Sequence, residues 1–105
     1  MYTTLISAEQ LQALVQDAKA LMIFDCSFEL MQPLAGEKQY RESHIPGAVY
    51  ANLDTALSAH GLPDASGKFT VPADAASGGR HPLPSREKFA IWLSSVGFAN
   101  DMQAV

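Results

Sequence analysis

The chain has 105 residues, 48% of them hydrophobic and 17% charged, which is ordinary globular usage and allows one domain at most. Seven basic and eleven acidic residues give a net charge of -4, and the basic residues are scattered, which argues against nucleic-acid binding. No apolar run approaches the ~20 residues of a membrane span, and the first residues lack the pattern of a signal peptide. With the single cysteine Cys26 there is no internal disulfide, so we expect a cytoplasmic protein without a cofactor.

The first predicted element is an amphipathic helix. Ser7 and Gln10 have the spacing of a capping box, and apolar residues follow at helical intervals, which predicts a helix over residues 8–19. The apolar run at residues 21–24 is too short for a helix. It is typical of a strand that is buried on both faces, as in a parallel sheet.

Short elements separated by turn signals follow this strand. The sequence predicts a loop, a short surface helix, a second strand and a brief further helix, at residues 29–36, 37–43, 48–51 and 53–57 respectively. Pro46 and Gly47 end the surface helix, because proline restricts the residue before it and glycine permits a tight turn.

The second half of the chain is dominated by glycine and proline. Residues 58–84 predict a long irregular segment with one weak extended stretch at residues 68–71, and such segments in compact domains are usually functional or mobile. Ser85 then starts a helix that stops at Gly97, and residues 103–105 resemble the opening of a strand. The alternation predicts an α/β fold with a parallel sheet flanked by helices. Two predicted strands are too few to cover three helices, so we expect the chain to be part of a domain.

The only thiol has surroundings that argue against a nucleophile. A reactive cysteine needs a nearby cation, a histidine or a helix N-terminus that stabilises the thiolate. Cys26 instead follows a buried strand, beside Asp25 and near Glu29, and these acids raise the pKa expected for it. We interpret Cys26 as a small buried hydrophobic residue.

The three histidines are far apart in the sequence and have no metal-motif spacing, so the sequence predicts no metal site. We interpret His44 as a turn residue whose ring bonds to the backbone. His81 lies between Arg80 and Pro82 at the start of a helix, and the sequence leaves open whether it meets a ligand or is a solvated loop residue. Neither a hydrolase nucleophile elbow nor a phosphate-binding glycine loop is present.

One segment is similar to a known family signature. Residues 41–48, which end in the run HIPGA, resemble the signature of rhodanese-type sulfurtransferase domains. Other segments resemble the first domain of two-domain thiosulfate and 3-mercaptopyruvate sulfurtransferases, namely residues 23–27, 50–54 and 81–85. The resemblance covers nearly the whole chain. It implies a rhodanese-like fold, incomplete here, in which residues 1–105 are the N-terminal portion of the first, non-catalytic domain, ending before its later strands.

The resemblance also implies a reaction. Sulfur passes from a small anion, thiosulfate or 3-mercaptopyruvate, to cyanide or a thiol through a cysteine persulfide. In the family that cysteine lies in the second, C-terminal rhodanese domain, so this chain alone is expected to be inactive. An Asp and a His of the first domain are thought to assist proton movement, and Asp54 and His81 are the matching residues here.

Two departures from the family pattern are the length of residues 55–80 and the presence of Asn52 where relatives often carry an acid. The alternative reading is an inactive rhodanese-like domain with a binding or regulatory role.

Overall fold

The structure, a computed structural model, describes residues 1–105 and is a mixed α/β arrangement of three helices and four very short strands. In chain order the elements are α1 (Ala8–Gln16), β1 (Leu21–Met22), β2 (Phe24–Asp25), α2 (Ala35–Glu42), β3 (Val49–Tyr50), α3 (Arg86–Ser95) and β4 (Gln103–Ala104). This order confirms the predicted α/β class.

The sheet is built around residues 21–25. β1 pairs in parallel with β4, and β2 pairs in parallel with β3, so the run is bonded to different neighbours at its two ends. The predicted parallel pairing is therefore confirmed. Ile23, between β1 and β2, is buried and its carbonyl accepts from Val49 N at 2.8 Å. The side chains of β1 and β2 themselves are half-buried. The expected burial on both faces is therefore met only at Ile23.

Helix boundaries largely follow local signals. Ser7 Oγ accepts from Gln10 N at 3.2 Å while the Gln10 side chain accepts from Ser7 N at 2.9 Å, which confirms the capping box. α1 ends at Gln16, three residues before the predicted end. Ser85 caps α3, and Gly97 with a φ of 86° follows its end, both as predicted.

α2 begins earlier than its sequence indicates. It starts at Ala35, inside the predicted loop, and its first turn lies against the chain that follows β2. Gly36 makes this approach possible, because a Cβ there would collide with the carbonyl of Ser27 and come within 2.8 Å of the Tyr50 hydroxyl. Local composition carries no sign of this long-range contact.

Two other predicted elements are absent. Residues 53–57 form a hydrogen-bonded turn in which two amides donate to the Asn52 carbonyl, and not a helix. Residues 68–71 pair with no strand. The long irregular segment predicted for residues 58–84 is confirmed.

The chain buries few of its residues. Nine of 105 residues are buried, and α1 and α3 contain none of them. The radius of gyration is 15.3 Å, compared with about 13 Å for a compact domain of this size. Between the sheet and α3, an apolar groove of about 530 Å³ is lined by Phe24, Trp92 and Phe98 among others. The longest helix has ten residues, and no helix has the length and apolar character of a membrane span.

Candidate functional site

Asp54, His60 and His81 lie together, and we call them the histidine–aspartate cluster. His60 Nε2 lies 3.3 Å from His81 Nδ1. Asp54 Oδ1 lies 3.9 Å from His60 Nε2 and 4.0 Å from His81 Nδ1. Asp54 is 2% exposed and His60 is 8% exposed, whereas His81 is half-buried. The two residues singled out by the family resemblance are thus neighbours in space.

The turn after β3 positions Asp54. Asn52 Oδ1 accepts from Asp54 N at 2.8 Å and from Thr55 N at 3.1 Å, as a helix-capping side chain does. The start of the turn is anchored to the sheet, because Ala51 N donates to the Asp25 carbonyl at 2.9 Å. Asp54 therefore stands just beyond the carboxyl end of a parallel strand, where α/β folds commonly bind ligands.

The irregular segment returns on itself and brings His81 to this point. Ala59 N donates to the Pro82 carbonyl at 2.7 Å, and Pro82 is fully buried. His60 and His81 are 21 residues apart in the chain, yet their ring centroids are 5.4 Å apart. Sequence separation was the reason for excluding a metal site, and the folded segment removes that reason.

His60 carries no motif, so sequence reasoning did not single it out. Its Nδ1 lies 2.7 Å from the Gly61 carbonyl, which only accepts, so Nδ1 holds a proton. In the neutral ring the lone pair is then on Nε2, the atom that faces His81 and Asp54. Phe69 packs against this ring with centroids 4.4 Å apart. His81 Nε2, in contrast, is buried and has no hydrogen-bond partner.

The cluster borders an open cavity of about 330 Å³. Asp54, His81 and Arg80 supply polar groups to its lining, and Phe28 and Phe69 supply apolar surface. Arg80 takes part in none of the three ion pairs that lysine and arginine side chains form in the structure. The cavity therefore combines a histidine beside a carboxylate with a cation that is available to an anion.

Cys26 does not line this cavity, and it is exposed, which corrects the expectation of a buried residue. It follows β2 at the edge of the sheet and lines the apolar groove near Trp92. Partial desolvation there, and secondarily the Asp25 carboxylate, raises the pKa of the Cys26 thiol. The expected direction is confirmed, although Glu29 makes no contribution.

His44 has the structural role inferred for it. Its Nδ1 lies 2.6 Å from the Tyr40 carbonyl, and its ring stacks on that of Tyr40 with centroids 4.0 Å apart. The interpretation as a turn residue bonded to the backbone is confirmed. His44 is exposed, and it does not line the cavity beside the cluster.

Curated relatives match 101 residues, or 96% of the chain. The chain is 37% identical to a "Probable 3-mercaptopyruvate sulfurtransferase" of Pseudomonas aeruginosa and 31% identical to a "Putative thiosulfate sulfurtransferase SseB" of Mycobacterium tuberculosis. It spans about 31% of the length of each of these proteins. No family model and no solved structure matches the chain. The relatives confirm the resemblance inferred from the sequence.

Proposed function

We propose that this chain, a relative of sulfurtransferases over 96% of its length, contributes Asp54 and His81 to an active site that transfers sulfane sulfur. The donor is thiosulfate or 3-mercaptopyruvate, and the acceptor is cyanide or a thiol. The sulfur is carried as a persulfide on a cysteine outside residues 1–105, in a second rhodanese-like domain. The observation that carries the proposal is the 4.0 Å approach of Asp54 to His81 at a cavity that Arg80 also lines.

A proton is needed in only one of the two donor reactions. When a cysteine thiolate takes sulfur from 3-mercaptopyruvate, the carbon–sulfur bond breaks and its electron pair stays on carbon as the enolate of pyruvate. The proton of the donor's thiol balances the reaction once it reaches that carbon. When the donor is thiosulfate, the sulfur–sulfur bond breaks and sulfite leaves with the electron pair, so no proton has to move.

In this scheme His81 moves the proton, while Asp54 and His60 orient its ring. A histidine suits the task because its ring nitrogens take up and release protons near neutral pH. The Asp54 carboxylate and His60 Nε2 both face His81 Nδ1, which restricts how the ring can turn. Arg80 lines the same cavity and supplies a positive charge for an anionic donor.

The second candidate is an inactive rhodanese-like binding or regulatory module. It is favoured if no cysteine from outside residues 1–105 reaches the cavity, because Cys26, the only thiol within these residues, does not line it. Sulfur transfer by the full-length protein distinguishes the two candidates.

The decisive experiment measures kcat and KM of the full-length protein with both donors for the wild type, His81→Ala and Asp54→Asn. Proton-transfer assistance is worth about 10²–10⁴-fold in rate, so kcat with 3-mercaptopyruvate should fall by about that factor. The kcat with thiosulfate should change little. His44→Gln is the matched control, because His44 is an exposed histidine outside the cavity, and it should leave both turnovers unchanged.

Equal and small losses with both donors would show that Asp54 and His81 only line the cavity. A full-length protein without any sulfur transfer would instead favour the binding module. Residues 1–105 alone should form no thiocyanate from thiosulfate and cyanide. Turnover by this chain that disappears in Cys26→Ser would overturn the assignment of the nucleophile to another domain.

A further inference from the structure

We propose that Asp54, His60 and His81 form a binding site for a divalent transition-metal ion, with Zn²⁺ as the best fit. Each residue offers one ligand atom, and these atoms lie within 4.8 Å of one another. Two imidazole nitrogens and one carboxylate oxygen, with a fourth position open, are an established ligand set for zinc. The inference shares two residues with the proposed function but does not rest on it.

The distances suit four-coordinate geometry. With Zn–N bonds of about 2.0–2.1 Å, tetrahedral ligand atoms lie about 3.3–3.4 Å apart. His60 Nε2 and His81 Nδ1 are 3.3 Å apart, which is the separation of two nitrogen ligands on one tetrahedral ion. Asp54 Oδ1 is 3.9 and 4.0 Å from these nitrogens, and it has to approach by about 0.6 Å to complete the set.

His60 is oriented as a ligand before any ion arrives. Metal-bound histidines usually donate their second ring N–H to a carbonyl or carboxylate, which fixes the tautomer and the ring plane. His60 Nδ1 makes this contact with the Gly61 carbonyl at 2.7 Å and so presents the Nε2 lone pair to the cluster. The Phe69 ring, tilted beside it with centroids 4.4 Å apart, restricts rotation further.

Charge and burial also favour a cation. Asp54 is 2% exposed, and a buried carboxylate is costly unless it is paired. The two imidazoles, the titratable side chains with which it pairs, stand at 3.9 and 4.0 Å, beyond ordinary hydrogen-bond length. A divalent ion between the three groups would pair the carboxylate directly. The adjoining cavity of about 330 Å³ leaves space for a water or an anion as the fourth ligand.

The test titrates metal-free full-length protein with Zn²⁺ by calorimetry and, in parallel, with Co²⁺, whose visible spectrum reports tetrahedral coordination. No sulfur donor is present, so a failure here leaves the sulfur-transfer experiment unaffected. We expect one site in the wild type that is weakened at least 100-fold in His60→Gln and in Asp54→Asn. His81→Asn is a further variant at a less buried position. The melting temperature of each metal-free variant checks that it folds.

His44→Gln and Cys26→Ser are the controls, since they remove the third histidine and the only thiol of residues 1–105 without touching the cluster, and they should keep the wild-type affinity. Added Zn²⁺ should raise the melting temperature of the wild type and of both controls, but not that of the cluster variants. The proposal is overturned if the wild type shows no stoichiometric binding. It is equally overturned if folded His60→Gln and His81→Asn bind with wild-type affinity, or if a control loses binding.

Discussion

Helices α1 and α3 contribute no buried residue to this protein, whereas the non-helical chain at residues 54–60 and at Pro82 is closely packed. α1 and α3 contain no buried residue, while residues 52–84, which form neither helix nor strand, hold five of the nine buried ones. Three of those five are polar or charged, namely Asp54, Ser58 and His60. Burial of polar groups is costly unless they are paired, so this difference is the reason why the functional site is proposed in residues 52–84.

Side chains that bond to nearby backbone replace regular hydrogen bonding in the irregular segment. Asp64 Oδ1 accepts from Ser66 N at 2.8 Å and from Lys68 N at 3.0 Å, which closes a tight loop. Hydrogen bonds from Ser66 and the backbone keep the pKa of Asp64 below its usual value. Asn52 accepts a backbone hydrogen bond in the same way beside Asp54. Short polar side chains therefore fix the backbone path here, as backbone hydrogen bonds do in the helices.

Three tests compare the helices with the irregular segment. Gly36→Ala in α2 should have the largest effect on stability. Alanine normally stabilises a helix interior by about 0.5–1 kcal/mol relative to glycine. Here the added Cβ collides with the Ser27 carbonyl, so the free energy of unfolding should fall by about 1–3 kcal/mol. Denaturant unfolding measures it.

Gly78→Ala is the matched control in the irregular segment. Its Cβ would meet no atom within 4 Å, and its φ is outside the left-handed region, so stability should change by less than about 0.5 kcal/mol. An unchanged or more stable Gly36→Ala protein would contradict the close approach of α2 to the chain after β2.

The next test compares a cap in each region. Ser7→Ala and Asn52→Ala each remove a side-chain oxygen that accepts backbone N–H groups, and each should cost about 0.5–2 kcal/mol. Only Asn52→Ala should also lower kcat with 3-mercaptopyruvate in the full-length protein, because Asn52 positions Asp54. Asn52→Asp keeps an accepting oxygen and should restore turnover. Equal turnover in both alanine variants would show that the Asn52 cap does not position the site.

The smallest effect concerns Cys26 at the edge of the sheet. A raised pKa means that less thiolate is present at neutral pH, so alkylation by iodoacetamide should be slower than that of a free cysteine peptide. The rate should rise only as the pH passes above the usual pKa of a thiol. Asp25→Asn should speed alkylation slightly, since it removes the secondary cause of the shift. Alkylation at pH 7 faster than the peptide would contradict this environment for Cys26.

Several features follow from the sequence by itself because each depends on residues within one or two turns of chain. The capping box at Ser7, the stop at Gly97 and the backbone bond of His44 are contacts of this kind. Short apolar runs alternating with helical patterns were sufficient to predict parallel pairing. The HIPGA run likewise suggested the resemblance to sulfurtransferases that the relatives confirm, since a contiguous signature needs no tertiary information.

Tertiary structure alone decided the features that depend on distant segments meeting. α2 begins before its predicted start, and its Gly36 lies in close contact with Ser27 and Tyr50. Cys26 is exposed because it lines the open groove beside α3. His60 meets His81 across 21 residues because Ala59 bonds to Pro82 as the irregular segment returns. Hydrophobic periodicity and turn residues act over a few positions, so they carry no information on which ends of a long loop meet. Pro82 and Asp54 are buried only where the loop closes in the folded chain.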